Sequence, residues 1–156
     1  MKCNTRLSTL LLLGFAMFVA STALSAHAQL CSLSGVAGVY GFTGSGTLFL
    51  PSGPVPIAAV GKITLKADGT VLGTEARSVG GDFANETLKG TWTINPGCTG
   101  LLRAEVFESG VLVRTSVLTV VADDHMQETR DLQKSLTLPD GTNVPAVVTF
   151  EARRIF

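Results

Sequence analysis

Residues capable of chemistry are few in this chain, and most stand apart from one another. His125 sits beside Asp123 and Asp124, a trio of types that can seed a metal site or an acid/base pair. Consecutive strand positions point to opposite faces, however, and Asp-Asp favours a reversal of the chain, so the trio reads as a solvated hairpin. With no Cys-x-x-Cys and no dense Asp-x-Asp loop, neither a metal nor a cofactor is expected. Nucleophilic hydrolysis has no Gly-x-Ser-x-Gly elbow to support it, and the run Gly41-Phe42-Thr43-Gly44-Ser45-Gly46 lacks the lysine and the following helix of a phosphate loop.

Five residues are better placed to line a pocket: Tyr40, Trp92, Glu128, Arg130 and Arg154. Arg154 alternates in step with Val148, Phe150 and Ala152, so an apolar surface carries one cation. From His125 to Gln133 neither face is wholly apolar. One carries His125, Gln127, Thr129, Asp131 and Gln133, and the other Met126, Glu128, Arg130 and Leu132. In a closed sheet Glu128 and Arg130 are expected to point inward, paired or solvated, because a lone buried charge is too costly. In an open sheet the same segment reads as an edge strand whose charges deter pairing. An apolar lumen with a few polar groups is what a small-ligand site requires, and equally what a filled barrel with one internal ion pair looks like.

The elements that must position these residues are strands. Seven turn signals begin 12 to 17 residues apart: Pro51-Ser52-Gly53-Pro54, Asp68-Gly69, Gly80-Gly81-Asp82, Asn95-Pro96-Gly97, Ser109-Gly110, Asp123-Asp124 and Pro139-Asp140-Gly141. Links this short join only antiparallel neighbours, which predicts an all-β, eight-stranded antiparallel up-and-down meander. The spacing leaves about ten residues per strand, the length of tilted barrel staves, so a closed barrel is favoured over a sandwich. Period-2 alternation assigns the core face of three segments: Ile63 and Leu65; Leu88, Gly90, Trp92 and Ile94; Leu102, Ala104 and Val106. Segment Val111 to Val121 is apolar or hydroxylated on both faces apart from Arg114, so alternation leaves its facing open. Gly41, Gly44 and Gly46 suggest a bend or bulge in the first strand.

Residues 1–28 read as a secretory signal peptide. Lys2 and Arg6 precede an apolar stretch from Leu10 to Ala20, and Ala26-His27-Ala28 is a small-x-small cleavage site. Residues 29–156 then form a single domain, secreted or periplasmic, beginning at Gln29. The whole chain has 12 basic and 12 acidic side chains, and losing Lys2 and Arg6 leaves a net charge near −2. Without a basic run, nucleic acid is not an expected partner. Outward Lys62, Lys66 and Lys89, and the absence of aromatic girdles, argue against integral membrane insertion. Cys31 and Cys98 remain after cleavage, and an oxidising compartment favours their pairing over two free thiols or an intermolecular bridge. Their bond would pin Gln29 to Gly38, too short and too rich in Gly and Ser for an independent element, across one end of the barrel.

Three short pieces carry a resemblance. Gly90-Thr91-Trp92-Thr93-Ile94 followed by Cys98-Thr99-Gly100, Cys31 followed by Gly38-Val39-Tyr40-Gly41-Phe42, and the hairpin from Gly61 to Thr70 resemble stretches of uncharacterised small secreted bacterial proteins. That resemblance implies a calycin-like or allene-oxide-cyclase-like barrel with a bridging disulfide, and no activity. Three functions follow as expectations: a binder of a small apolar or amphipathic ligand, a solid structural or interaction module, and, by analogy of fold alone, a cyclase or isomerase.

Overall fold

The computed structural model describes residues 30–123 and 125–156. The expected leader and Asp124 lie outside the described residues. One helical turn, α1 (Leu33–Val36), precedes eight strands: β1 (Gly38–Leu50), β2 (Gly53–Leu65), β3 (Thr70–Val79), β4 (Asp82–Ile94), β5 (Thr99–Glu108), β6 (Val111–Ala122), β7 (Glu128–Thr137) and β8 (Ala146–Arg154). Each strand pairs with the next, and β8 returns to β1, so the order closes into a barrel. Closure runs antiparallel from Tyr40 opposite Arg154 to Leu48 opposite Ala146. All seven expected turns join strands, and Gly53, Gly69, Gly80, Gly81, Gly110 and Gly141 supply the positive φ that tight reversals require.

Alternation places the core as expected on β2, β4 and β5: Ile63, Leu65, Leu88, Trp92, Leu102, Ala104 and Val106 are buried. Each large side chain so buried stabilises the fold by roughly 1.5–3 kcal/mol. The facing of β6, open from its own sequence, is decided by its neighbour. Leu102 lies opposite Leu118 and Ala104 opposite Ser116, and cross-strand partners share a face, so Arg114 falls on the inner side.

One local expectation is corrected. The glycines of β1 mark no bulge: the strand holds unbroken register against both neighbours. Gly44 instead makes room inside the barrel, where a Cβ would collide with the ring of Phe150. The register shifts lie elsewhere: Val113 of β6 is the extra residue opposite Val106 and Phe107 of β5, and Lys134 of β7 is the extra residue opposite Val117 and Leu118 of β6. The N-terminal segment forms a single helical turn. Ser32 caps α1 by accepting from the Gly35 amide at 3.1 Å, and the Ala37 amide closes the turn on Leu33 O at 2.9 Å.

Candidate functional site

The two ends of the barrel differ, and the difference defines the interior. At one end α1 lies across the opening. A disulfide joins Cys31 to Cys98, with Cα atoms 5.0 Å apart, just before β5 begins. Val36 of α1 and Tyr40 beneath it are fully buried. The Tyr40 hydroxyl donates to Val36 O at 2.6 Å and also lies 3.1 Å from Met126 O. Arg154 Nη2 donates to Gly35 O at 2.9 Å, Ala37 O at 3.0 Å and the Tyr40 hydroxyl at 3.1 Å. Trp92 Nε1 donates to Lys66 O at 2.8 Å. Burial pushes the Tyr40 phenol above its ordinary pKa, against the opposing pull of Arg154.

Of the five residues read as pocket-lining, three therefore meet at this sealed end. Tyr40, Trp92 and Arg154 all face inward, yet the polar atoms of Tyr40 and Arg154 hold the plug, that of Trp92 holds the β2–β3 turn, and none of the three lines the internal chamber. The other two are corrected. Glu128 and Arg130 do not point into the lumen: Glu128 pairs with exposed Arg153 at 2.8 Å on the outer wall, and Arg130 is exposed. Register is the reason. Asp131 lies opposite inward Val120 on β6 and inward Phe150 on β8, so Thr129, Asp131 and Gln133 share the inner face while Leu132 is left 51% exposed.

At the other end the barrel opens on a mouth of about 330 Å³, lined by Leu48, Leu50, Val79, Leu138 and Val144 with Arg77, Asp82, Glu108 and Arg114 among them. Beneath it lies a chamber of about 60 Å³. Ile57, Arg114 and Leu136 line both spaces, so Arg114 stands at the partition.

A belt of charges surrounds that partition. Arg114 grips Glu86 with both terminal guanidinium nitrogens, at 2.7 and 2.8 Å, and reaches Glu75 at 2.6 Å. Arg77 Nε bonds the same Glu86 at 2.8 Å, and its other nitrogens approach Glu108 at 3.5 Å and Asp82 at 3.8 Å. Burial pushes the Glu75 carboxyl up to about 7 against the attraction of Arg114, with nearby Glu86 adding to the rise. Glu86 is also desolvated, but the hydrogen bonds from Arg114 and Arg77 outweigh burial and hold it below its ordinary value.

The chamber itself is walled by Ile63, Val71, Leu88, Leu118 and Phe150, and into it face Ser116, Asp131 and Gln133. Asp131 is 7% exposed. Its Oδ2 takes one long bond from the Thr129 hydroxyl, at 3.4 Å, while its buried Oδ1 has no partner among the described residues. Burial, only partly offset by Thr129, pushes this carboxyl up to about 7. Gln133 donates to Ser135 O. None of the belt or chamber polar residues figured among the five read from the sequence, although alternation carried a signal for Glu86, which is in step with Leu88 and Trp92.

His125 is exposed in the β6–β7 turn, where Asp123 Oδ1 accepts from the Gln127 and Glu128 amides at 2.9 and 3.4 Å. Among the described residues no group of three or more His, Cys, Asp or Glu side chains could hold a metal ion, and no helix is long and apolar enough to cross a membrane. No protein-family model matches the chain, and no curated protein shows significant similarity to it.

Proposed function

We propose that this protein is an exported cup that binds one small amphipathic molecule through the open end of its barrel. The observation that carries the reading is the asymmetry of the ends: a covalently anchored floor at one, and at the other an apolar mouth above a chamber with convergent polar groups. Ligand sites usually combine an apolar lining with a few placed polar groups in several hundred Å³. The chamber alone, at about 60 Å³, accommodates only the head of a ligand, and the mouth at about 330 Å³ accommodates its apolar body. The disulfide fits export, because such bonds persist in oxidising compartments.

Native mass spectrometry of protein purified from its own host tests the reading. A co-purifying small molecule, released on collisional activation, is the expected result. A bare chain mass, together with no shift in the Leu48, Val79 or Leu136 methyl resonances on adding apolar probes, overturns it.

A second reading has its own observation. The chamber is small, and Leu101, Val121 and Leu132 stand exposed on adjacent strands β5, β6 and β7. A solid module that docks a partner through this outer wall accounts for both. Concentration-dependent self-association that disappears in Leu132→Lys favours this reading, and a monomer at millimolar concentration removes its motive.

A further inference from the structure

Among the described residues two buried side-chain atoms lack a hydrogen-bond partner, Asp131 Oδ1 and Arg154 Nε, and of these two residues only Asp131 lines the chamber. The charged side chains of the belt and the floor have counterparts: Arg114 with Glu75 and Glu86, Arg77 with Glu86, Glu108 and Asp82, and Arg154 Nη2 with two backbone carbonyls and Tyr40 at the plug. Asp131 lines the chamber and has only Thr129, its buried Oδ1 having no partner among the described residues. A carboxylate in such a place is destabilising unless something supplies a hydrogen-bond donor, and a positive charge meets the need best.

The surroundings select the sign of the ligand. Around the mouth and belt, Glu75, Asp82, Glu86 and Glu108 face only two guanidiniums, both already engaged in ion pairs. An anionic head therefore meets surplus acid and no available cation, whereas a cationic head is drawn inward. We infer that the cup is specific for cationic amphipaths, an ammonium head held in the chamber by Asp131 with an apolar tail in the mouth. The inference rests on the reading of the barrel as a ligand cup and adds the chemical class of its ligand.

The charged groups facing Asp131 from its neighbours define the controls. On β6 the inward charge is Arg114, and on β8 it is Arg154, committed to the plug; across the chamber stands Glu75. Glu75 is also pushed up to about 7, so a pH profile alone does not separate it from Asp131.

Calorimetric titration with hexylammonium, hexanol and hexanoate, three probes with one tail and different heads, tests the inference. The expected result is preference for hexylammonium, with affinity rising about tenfold between pH 5.5 and 8.5 as the carboxyl ionises. Asp131→Asn should weaken hexylammonium about tenfold and abolish that rise, while leaving hexanol within about twofold. Glu75→Gln should keep the rise. Binding of hexanol or hexanoate in preference to hexylammonium, or a pH rise that survives in Asp131→Asn and vanishes in Glu75→Gln, overturns the inference and leaves the cup standing. Silence from all three probes at millimolar concentration overturns both. Methyl spectra of each variant matching the wild type establish that the substitutions leave the fold intact.

Discussion

The sealed and open ends of this barrel use the same residue types to opposite effect. At the sealed end Arg154, Tyr40 and Trp92 all donate to backbone carbonyls, and a covalent bond holds the segment that supplies three of the acceptors, Gly35 O, Val36 O and Ala37 O. At the open end Arg77 and Arg114, both largely buried, donate to carboxylates beside the mouth. Neutral carbonyls do not titrate, so the half-buried Arg154 guanidinium keeps its carbonyl acceptors at any pH in the working range. A buried cluster of ions is stable only while every member keeps its partner. The floor should therefore be rigid over a wide pH range, and the mouth sensitive to the loss or titration of any one group.

The largest expected effect comes from cutting the anchor of the floor. Cys31 and Cys98 are separated by 67 positions, and closing a loop of that length is worth about 4 kcal/mol by the chain-entropy model. Cys31→Ser should lower the midpoint of guanidinium unfolding accordingly, while the far-ultraviolet dichroism keeps its β signature. Reduction of the wild type should bring its midpoint to that of the variant. Coincident midpoints for oxidised and reduced protein would mean that noncovalent contacts alone hold α1 in place.

Next comes the mouth. Arg114→Ala leaves Glu75 unpaired and Glu86 with Arg77 alone, and removing one partner from a buried ionic group destabilises by about 3 kcal/mol. The loss should be greater at pH 8 than at pH 5, because the abandoned carboxyls protonate in acid. An equal loss at both values would place the damage in packing instead of charge.

How much of this contrast was legible depends on how far each signal is local. Turn residues and period-2 alternation located all eight strands and the inward faces of β2, β4 and β5, because one buried face dictates the pattern residue by residue. The parity of β7 was not local. Both of its faces are mixed, and only pairing of Asp131 with Val120 and Phe150 shows that Glu128 and Arg130 turn outward. Tyr40, Trp92 and Arg154 were legible as inward but not as parts of a floor, since their acceptors lie in α1 and in the turns beside it. Arg114 was hidden by the two-sided hydrophobicity of β6, and with it the belt that it organises.

A smaller effect separates the chamber from both ends. The Asp131 carboxyl is pushed up to about 7 in the folded protein, against about 4 for an ordinary aspartate, so between those values the folded state binds more protons than the unfolded one. Stability then falls as pH rises through this window, and Glu75 contributes in the same direction. Glu86, held low, contributes oppositely, its stabilisation being lost only as pH drops below the ordinary carboxylate range. Asp131→Asn should raise stability at pH 8 by about 2 kcal/mol and flatten the decline between pH 4 and 7. An unchanged slope would show that Oδ1 has a partner, such as bound water, that supports its charge.

The smallest expected effect tests whether the floor is as insensitive to charge as its chemistry implies. Tyr40→Phe removes a hydroxyl that donates to Val36 O and accepts from Arg154, yet Arg154 keeps Gly35 O and Ala37 O, and the disulfide keeps α1 in place. The cost should be about 1 kcal/mol, that of one buried hydrogen bond, and independent of pH between 5 and 9. Above that range the two proteins should diverge. Burial raises the phenol above its ordinary pKa of about 10, so the wild type loses stability as pH climbs past that value, and the phenylalanine variant has no such term. Tyr40 is the only tyrosine in the chain, which lets tyrosinate absorbance follow it alone. The hydroxyl should stay protonated past pH 10 until the barrel unfolds. Ionisation at the ordinary value in a folded barrel would show that water reaches Tyr40, and that the floor is as open as the mouth.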